Sequence, residues 1–310
     1  MNTQSHAMPE SPLESLVIAP AVISGTRRMY WSVRRELWES RSIYIAPLAA
    51  AAVFLFGFLI STIHLPDKMR AALALNPVQQ HELIGQPYSF AAILIMGTAF
   101  IVGVFYCLDA LHGERRDRSI LFWKSLPVSD LTTVLSKASI PLLVLPLLTF
   151  VIVVATQLIM LLLSIAVLLG RGLSVAMLWR QLSLFQMSLM LLYHVLTVHV
   201  LWYAPIYSWL LMVSGWARRA TFLWAFLPVL AICVVEKIAF NTSHFAAMLG
   251  YRLSGGTEGG AFTADMVSMD PLTQLTPGKF LSTPGLWLGL GVAAIFLAAA
   301  VRLRRYRQPI

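Results

Sequence analysis

The residues with chemistry to offer are few and far apart. Gripping a nucleotide phosphate takes a glycine-rich loop ending in Gly-Lys-Ser/Thr, whose backbone N–H groups and lysine hold the anion. The one Gly-Lys pair, Gly278-Lys279, is followed by Phe280 and lacks that loop. The spacings of a zinc protease, a serine-hydrolase elbow and a dithiol site are also missing. Cys107 and Cys233 each stand alone in apolar surroundings, which gives neither a disulfide framework nor a zinc site. His194 and His199 are not spaced to share one α-helical face as metal ligands, and are expected to hydrogen-bond within a bundle.

Three groups of residues remain. The first is a polar island, HGERRDRSILFWKSLPVSDLTTVLSK, from His112 to Lys137. It sets Glu114, Arg115, Arg116, Asp117, Arg118, Lys124, Asp130 and Lys137 around the apolar Ile120, Leu121, Phe122 and Trp123. A plain loop has no use for Leu-Phe-Trp among so many charges. A segment that lies at a membrane surface and docks into another protein does. Pro127 ends one element there, and Ser129 or Asp130 can cap the next helix. Asp109, just before the island, is placed to meet one of its arginines.

The second group is Glu236-Lys237. Neighbouring helix residues do not face each other, so the two are not a ready-made ion pair. They read either as an outer gate or as snorkelling and helix-packing partners. The third group is aromatic: Tyr193, Trp202, Tyr203 and Tyr207, with Trp209 and Trp216 beyond. It would line a path for an amphipathic substrate, or pack a bundle and form interfacial belts.

These groups need elements to hold them, and composition says which. The chain has 310 residues, 58% hydrophobic and 12% charged, where soluble domains carry roughly a quarter charged residues. The mean hydropathy is +0.75. So little charge cannot cover a soluble surface, so the chain is read as an all-α polytopic membrane protein. A span needs roughly 20 mostly apolar residues. Six stretches qualify: Ile43–Ile63, Ser89–Leu111, Ser139–Leu169, Leu184–Ser214, Thr221–Phe240 and Leu286–Val301. Pro141, Pro146 and Pro205 are candidate kinks.

Six spans put both termini on one side. Sixteen lysines and arginines then fall on the side of the termini and the island, and seven on the other. The positive-inside rule places the termini and the island in the cytoplasm. The net charge of +9 is therefore topological, and no basic stripe marks a nucleic-acid site. Met1 to Ala19 does not read as a cleaved secretory signal, so the first span is expected to target the chain.

Residues 1–42 form a cytoplasmic segment in which Thr26 to Ser42 alternates Tyr30, Val33, Leu37 and Trp38 with arginines, the pattern of an interfacial amphipathic helix. Residues 43–301 form the six-span domain, with an external loop over 241–284. Residues 302–310 form a basic cytoplasmic tail.

At the island the sequence resembles the permease subunits of the type-2 (exporter-like) ATP-binding cassette (ABC) transporter superfamily. The matching residues are Glu114-Arg115, Ser119-Ile120-Leu121, the Pro127-Val128-Ser129 turn and Lys137 at the entry to the third span. Pro205 to Arg219 is similar to a bacterial subgroup paired with a separate ATPase. Phe122-Trp123 is bulkier than that pattern. The resemblance implies an exporter permease in a bacterial cytoplasmic (inner) membrane, with the island as coupling helix between spans two and three. Glu114, Arg115, Arg118, Ile120, Leu121, Phe122, Trp123 and Pro127 would engage an ABC ATPase dimer. That partner would bind ATP and magnesium, and this chain no cofactor. A second copy, or a similar permease, would complete the pathway. The competing class, a secondary transporter or channel not driven by ATP, calls for a three-plus-three internal repeat. The sequence has none. An intramembrane enzyme would need paired catalytic groups in the bundle, which are also missing.

Overall fold

A computed structural model describes residues 25–125, 128–255 and 277–307, and within them every regular element is helical. Pro127, the N-terminal stretch through residue 24 and the Gly-rich part of the external loop from residue 256 lie outside the described residues. Six helices are long and apolar enough to cross a membrane: Ser42–Ala72, Pro77–Arg116, Asp130–Gly170, Leu178–Trp202, Thr221–Phe240 and Pro284–Tyr306. Their outer surfaces show bare Phe56, Phe105, Leu162 and Ile238, as an apolar solvent permits.

The chain enters through α1 (Gly25–Glu39) and α2 (Ser42–Ser61), which hands over to a short α3 (Leu65–Ala72). Asn76 opens α4 (Pro77–Ala110) by accepting from the Gln79 amide, with Pro77 in the first turn where it suits a helix start. The helix begins well before Ser89 because this cap, rather than hydropathy, decides its start. The island then folds as α5 (His112–Arg116), α6 (Ser119–Ser125) and α7 (Asp130–Ser139). Of the two residues suited to cap α7, Ser129 does so, accepting from Thr132 N.

The proline kinks take a specific form. Ile140–Val144 is a π-helical turn around Pro141, which leads into α8 (Leu145–Gly170) with Pro146 in its first turn. After α9 (Ala176–Gln181), α10 (Leu184–His194) widens into a π-helix over Val195–Trp202 and resumes as α11 (Ala204–Trp216), with Pro205 in its first turn. A proline lacks the N–H that its i−4 carbonyl expects, and a wider turn absorbs the mismatch. The chain ends through α12 (Thr221–Phe240), α13 (His244–Leu253), α14 (Pro277–Leu281) and α15 (Pro284–Tyr306).

Helices α2, α4 and α8 pack together, and α11 packs against α4 and α15. Their shared core joins Ile43, Cys107, Leu145, Trp202, Tyr203 and Tyr207. Gly103 lets α4 approach it closely, since a Cβ there would stand 3.1 Å from the Tyr207 ring and 3.3 Å from Leu145. By contrast α12 buries only Ala225, whose carbonyl accepts from the Trp209 indole. It is a peripheral helix.

Candidate functional site

The island is built on a buried ionic base. At the end of α4 the Ser214 hydroxyl accepts from the amides of both Leu111 and His112, tying the turn into α5 to the end of α11. One residue turn later, Arg115 is buried and donates to the carbonyls of Gly215 and Ala217. Those are the acceptors that a helix C-terminus leaves without an amide partner, and a cation suits them. Glu114 turns the other way. Its carboxylate lies 3.1 Å from Lys137 at the entry to the third span, 3.2 Å from Arg304 near the end of α15 and 3.7 Å from Arg35 of α1. Arg304 continues the chain by pairing with Asp130 at the start of α7.

A second carboxylate completes the cluster. Glu36 of α1 accepts from Lys137 Nζ at 3.0 Å through both oxygens, from the Tyr106 hydroxyl at 2.8 Å, and pairs with Arg35. Burial by itself would raise this carboxyl. The charges of Lys137 and Arg35 and their hydrogen bonds outweigh it, and the net shift is downward. Buried charges survive only when paired this completely. The cluster clamps α1, the ends of spans two and three, and the end of span six into one body.

Helix α6 carries the island's exposed apolar side chains. Ile120 tucks beneath α6, whereas Leu121 and Phe122 are 60% and 61% exposed. Trp123 is half-buried, stacked edge-on against Phe122 and covered by the Arg35 guanidinium 3.9 Å from its ring centroid. Arg118 is exposed and turns the corner between α5 and α6 with a left-handed backbone, φ +58°. Beside the base a cleft of about 610 Å³ opens between the Glu36–Lys137 pair and the carboxylates of Glu39, Asp109 and Asp117. Asp109 does meet an island arginine: Arg116, at 3.9 Å.

The seven described residues of the expected docking set thus divide. Glu114, Arg115 and Ile120 hold the structure together; Arg118, Leu121 and Phe122 present a surface; Trp123 bridges the two. Sequence reading passed over Glu36, Tyr106, Asp130 and Arg304 as members of one cluster. A signal was there for two of them. Glu36 shares the apolar face of Val33 and Leu37, and Arg304 follows Ala300 by four residues on the buried stripe of α15.

At the opposite end Glu236 caps a helix. Its carboxylate accepts from the amides of His244 and Phe245 at the start of α13 and from the Thr242 hydroxyl, so Glu236 positions α13. Lys237 is exposed. Trp202, Tyr203 and Tyr207 are buried and Tyr193 half-buried, with Phe100 packed on both Tyr203 and Tyr207. The expectation for the histidines needs correcting. The π-helix has more residues per turn than an α-helix, so His194 and His199 return to one face with rings 5.6 Å apart. Among the described residues no third histidine, cysteine or carboxylate joins them as a metal set.

Comparison with protein families, with curated proteins and with solved structures finds no match for this chain.

Proposed function

We propose that the chain is a membrane permease subunit of an ABC exporter, forming half of a substrate pathway and driven by a separate ATPase. The observation that carries this reading is a pair of exposed apolar side chains, Leu121 and Phe122, mounted on a base whose carboxylates are all held by internal cations. A mobile loop would dissipate a push on that knob. Here Glu114 and Arg115 lock the helix before it to α11, α15 and the third span, so displacement of α6 moves those helices together.

In this reading the island faces the cytoplasm of a bacterial cell, with both chain termini on the same side. The α1 helix, with Tyr30, Trp31 and Trp38 exposed beside its arginines, lies at headgroup level. Two copies, or this chain and a similar one, assemble around a two-fold axis, and ATP with magnesium binds only the partner ATPase. The exposed charges Arg116, Asp117 and Arg118 orient the partner more than they hold it.

The test is the double substitution Phe122→Ala/Trp123→Ala in a complex reconstituted with its ATPase. ATP hydrolysis should continue while amphiphile export driven by it is lost. Export at the wild-type ratio to hydrolysis would sink the proposal.

A further inference from the structure

The external segment folds back into the bundle and carries a cation with it. After α12 the chain reverses at Asn241, which adopts the left-handed conformation (φ +51°) that ends helices. Glu236 fixes the start of α13, as described above. The other end of α13 is pinned to span four by consecutive contacts: Trp202 Nε1 donates to the Arg252 carbonyl at 3.0 Å and the Tyr203 hydroxyl to the Leu253 carbonyl at 2.9 Å. Trp202 lies thirteen residues from Gly215, about 20 Å of helix at ~1.5 Å per residue. Gly215 adjoins the Trp216–Trp224 pair and Arg218-Arg219, which mark the interface at the island end. In a hydrocarbon core ~30 Å thick, Arg252 therefore sits within the outer half.

A guanidinium at that depth needs a partner, and among the described residues this one meets no carboxylate. No ion pair to Arg252 occurs among the described residues, and Glu236 is committed to the α13 amides. Arg252 Nη2 donates to the Gly285 carbonyl at 2.9 Å, the group lies 4.3 Å above the Trp202 ring, and Nη1 is buried with no acceptor. Room for it is made by Gly289, where a Cβ would come within 2.0 Å of Nη2. Tyr251 and Phe280 pack in turn on the Trp202 ring. An intramembrane cation is a candidate functional residue, and an indole face beside a guanidinium suits a ligand that is apolar along its body.

We propose that Arg252 is the anion-recognition residue of a binding site in the outer half of the bundle, and that its ligand is an amphiphile with an oxyanion head. The head group supplies the acceptor that the buried Nη1 lacks and competes with Gly285 for Nη2, and the apolar body lies along Trp202 and Tyr251. This deepens the permease reading by naming a class of cargo, and rests on it only for the word cargo.

The probe is 11-(dansylamino)undecanoic acid, compared with its uncharged methyl ester, on the full chain in phosphatidylcholine nanodiscs with empty discs as background. Saturable dansyl emission should give an affinity for the acid about 10-fold or more above that for the ester, the scale of a charge-assisted contact. Arg252→Gln should bring the acid down to the level of the ester, and Arg252→Lys should keep part of the difference. Gly289→Ala, which displaces the guanidinium without removing it, should also reduce the preference. Equal affinity of the wild-type chain for acid and ester overturns the proposal whatever the variants do. So does an acid preference that survives in Arg252→Gln. The measurement uses no ATPase, so a failed permease reading and a failed anion site are told apart.

Discussion

Substituting Lys137→Met probes the buried cluster most sharply. The ammonium sits 3.0 Å from both oxygens of Glu36 and 3.1 Å from Glu114, and these side chains are only 3–7% exposed. Methionine keeps the stem and removes the charge, leaving two buried carboxylates to share Arg35 and Arg304. Breaking one partner out of a buried pair costs about 3–5 kcal/mol. At about 2–4 °C per kcal/mol for a chain of a few hundred residues, the melting midpoint should fall by roughly 6–20 °C. The pH dependence should also change sign. In the wild type the Glu36 carboxyl is held below its ordinary 4.5. Its contribution to stability is therefore present at neutral pH and is lost only as pH falls through that lowered value. Without Lys137, burial dominates and raises the carboxyl, so the variant should gain stability on acidification from pH 8 to pH 5. Adding Glu36→Gln should recover part of the loss and flatten that slope. The assay is size-exclusion of detergent-solubilised protein after heating, across pH. A variant that melts within about 2 °C of wild type, with an unchanged slope, refutes the reasoning.

Two further outcomes follow from local geometry. Arg118→Gly relieves a left-handed backbone that costs a non-glycine residue about 1 kcal/mol, and should leave the midpoint equal or higher in the same heating assay. A clear drop would mean that the Arg118 side chain anchors the corner. Glu236→Ala removes the acceptor for two amides of α13, the role a side-chain N-cap plays. It should speed hydrogen exchange at His244 and Phe245 and, through α13, at Arg252 and Leu253, while α5 and α7 stay protected; unchanged exchange at α13 would refute its role as the cap.

The six apolar stretches were legible because a membrane span is written in hydropathy alone. Their ends were less so. The start of α4 depends on the Asn76 cap and that of α15 on Pro284, local signals that a hydropathy window averages away. The prolines announced kinks in spans three and four, yet not that the second would widen into a π-helix and bring His194 to His199. At the island the charged and apolar residues were legible, but the directions they face were not. Glu114 and Arg115 read as a docking collar, and only packing reveals that they face α15 and α11. The partners of Glu114 lie at Arg35, Lys137 and Arg304, remote in sequence. An i, i+4 pattern can flag a charge on a buried face, but cannot say which distant charge meets it. Arg252 was counted as an external charge for the same reason: nothing in its neighbourhood says that α13 turns back toward Trp202.

The central claim is that the knob on α6 is a docking surface and the base beneath it is not. The direct measurement is affinity purification of the full chain from its own cell membranes, with co-purifying proteins identified by mass spectrometry. The account predicts that an ATPase with a Gly-Lys-Ser/Thr phosphate loop comes down with the wild-type chain, and that Leu121→Glu/Phe122→Glu abolishes its recovery without lowering the melting midpoint. Absence of any such ATPase, or its full retention by the double variant, would contradict it.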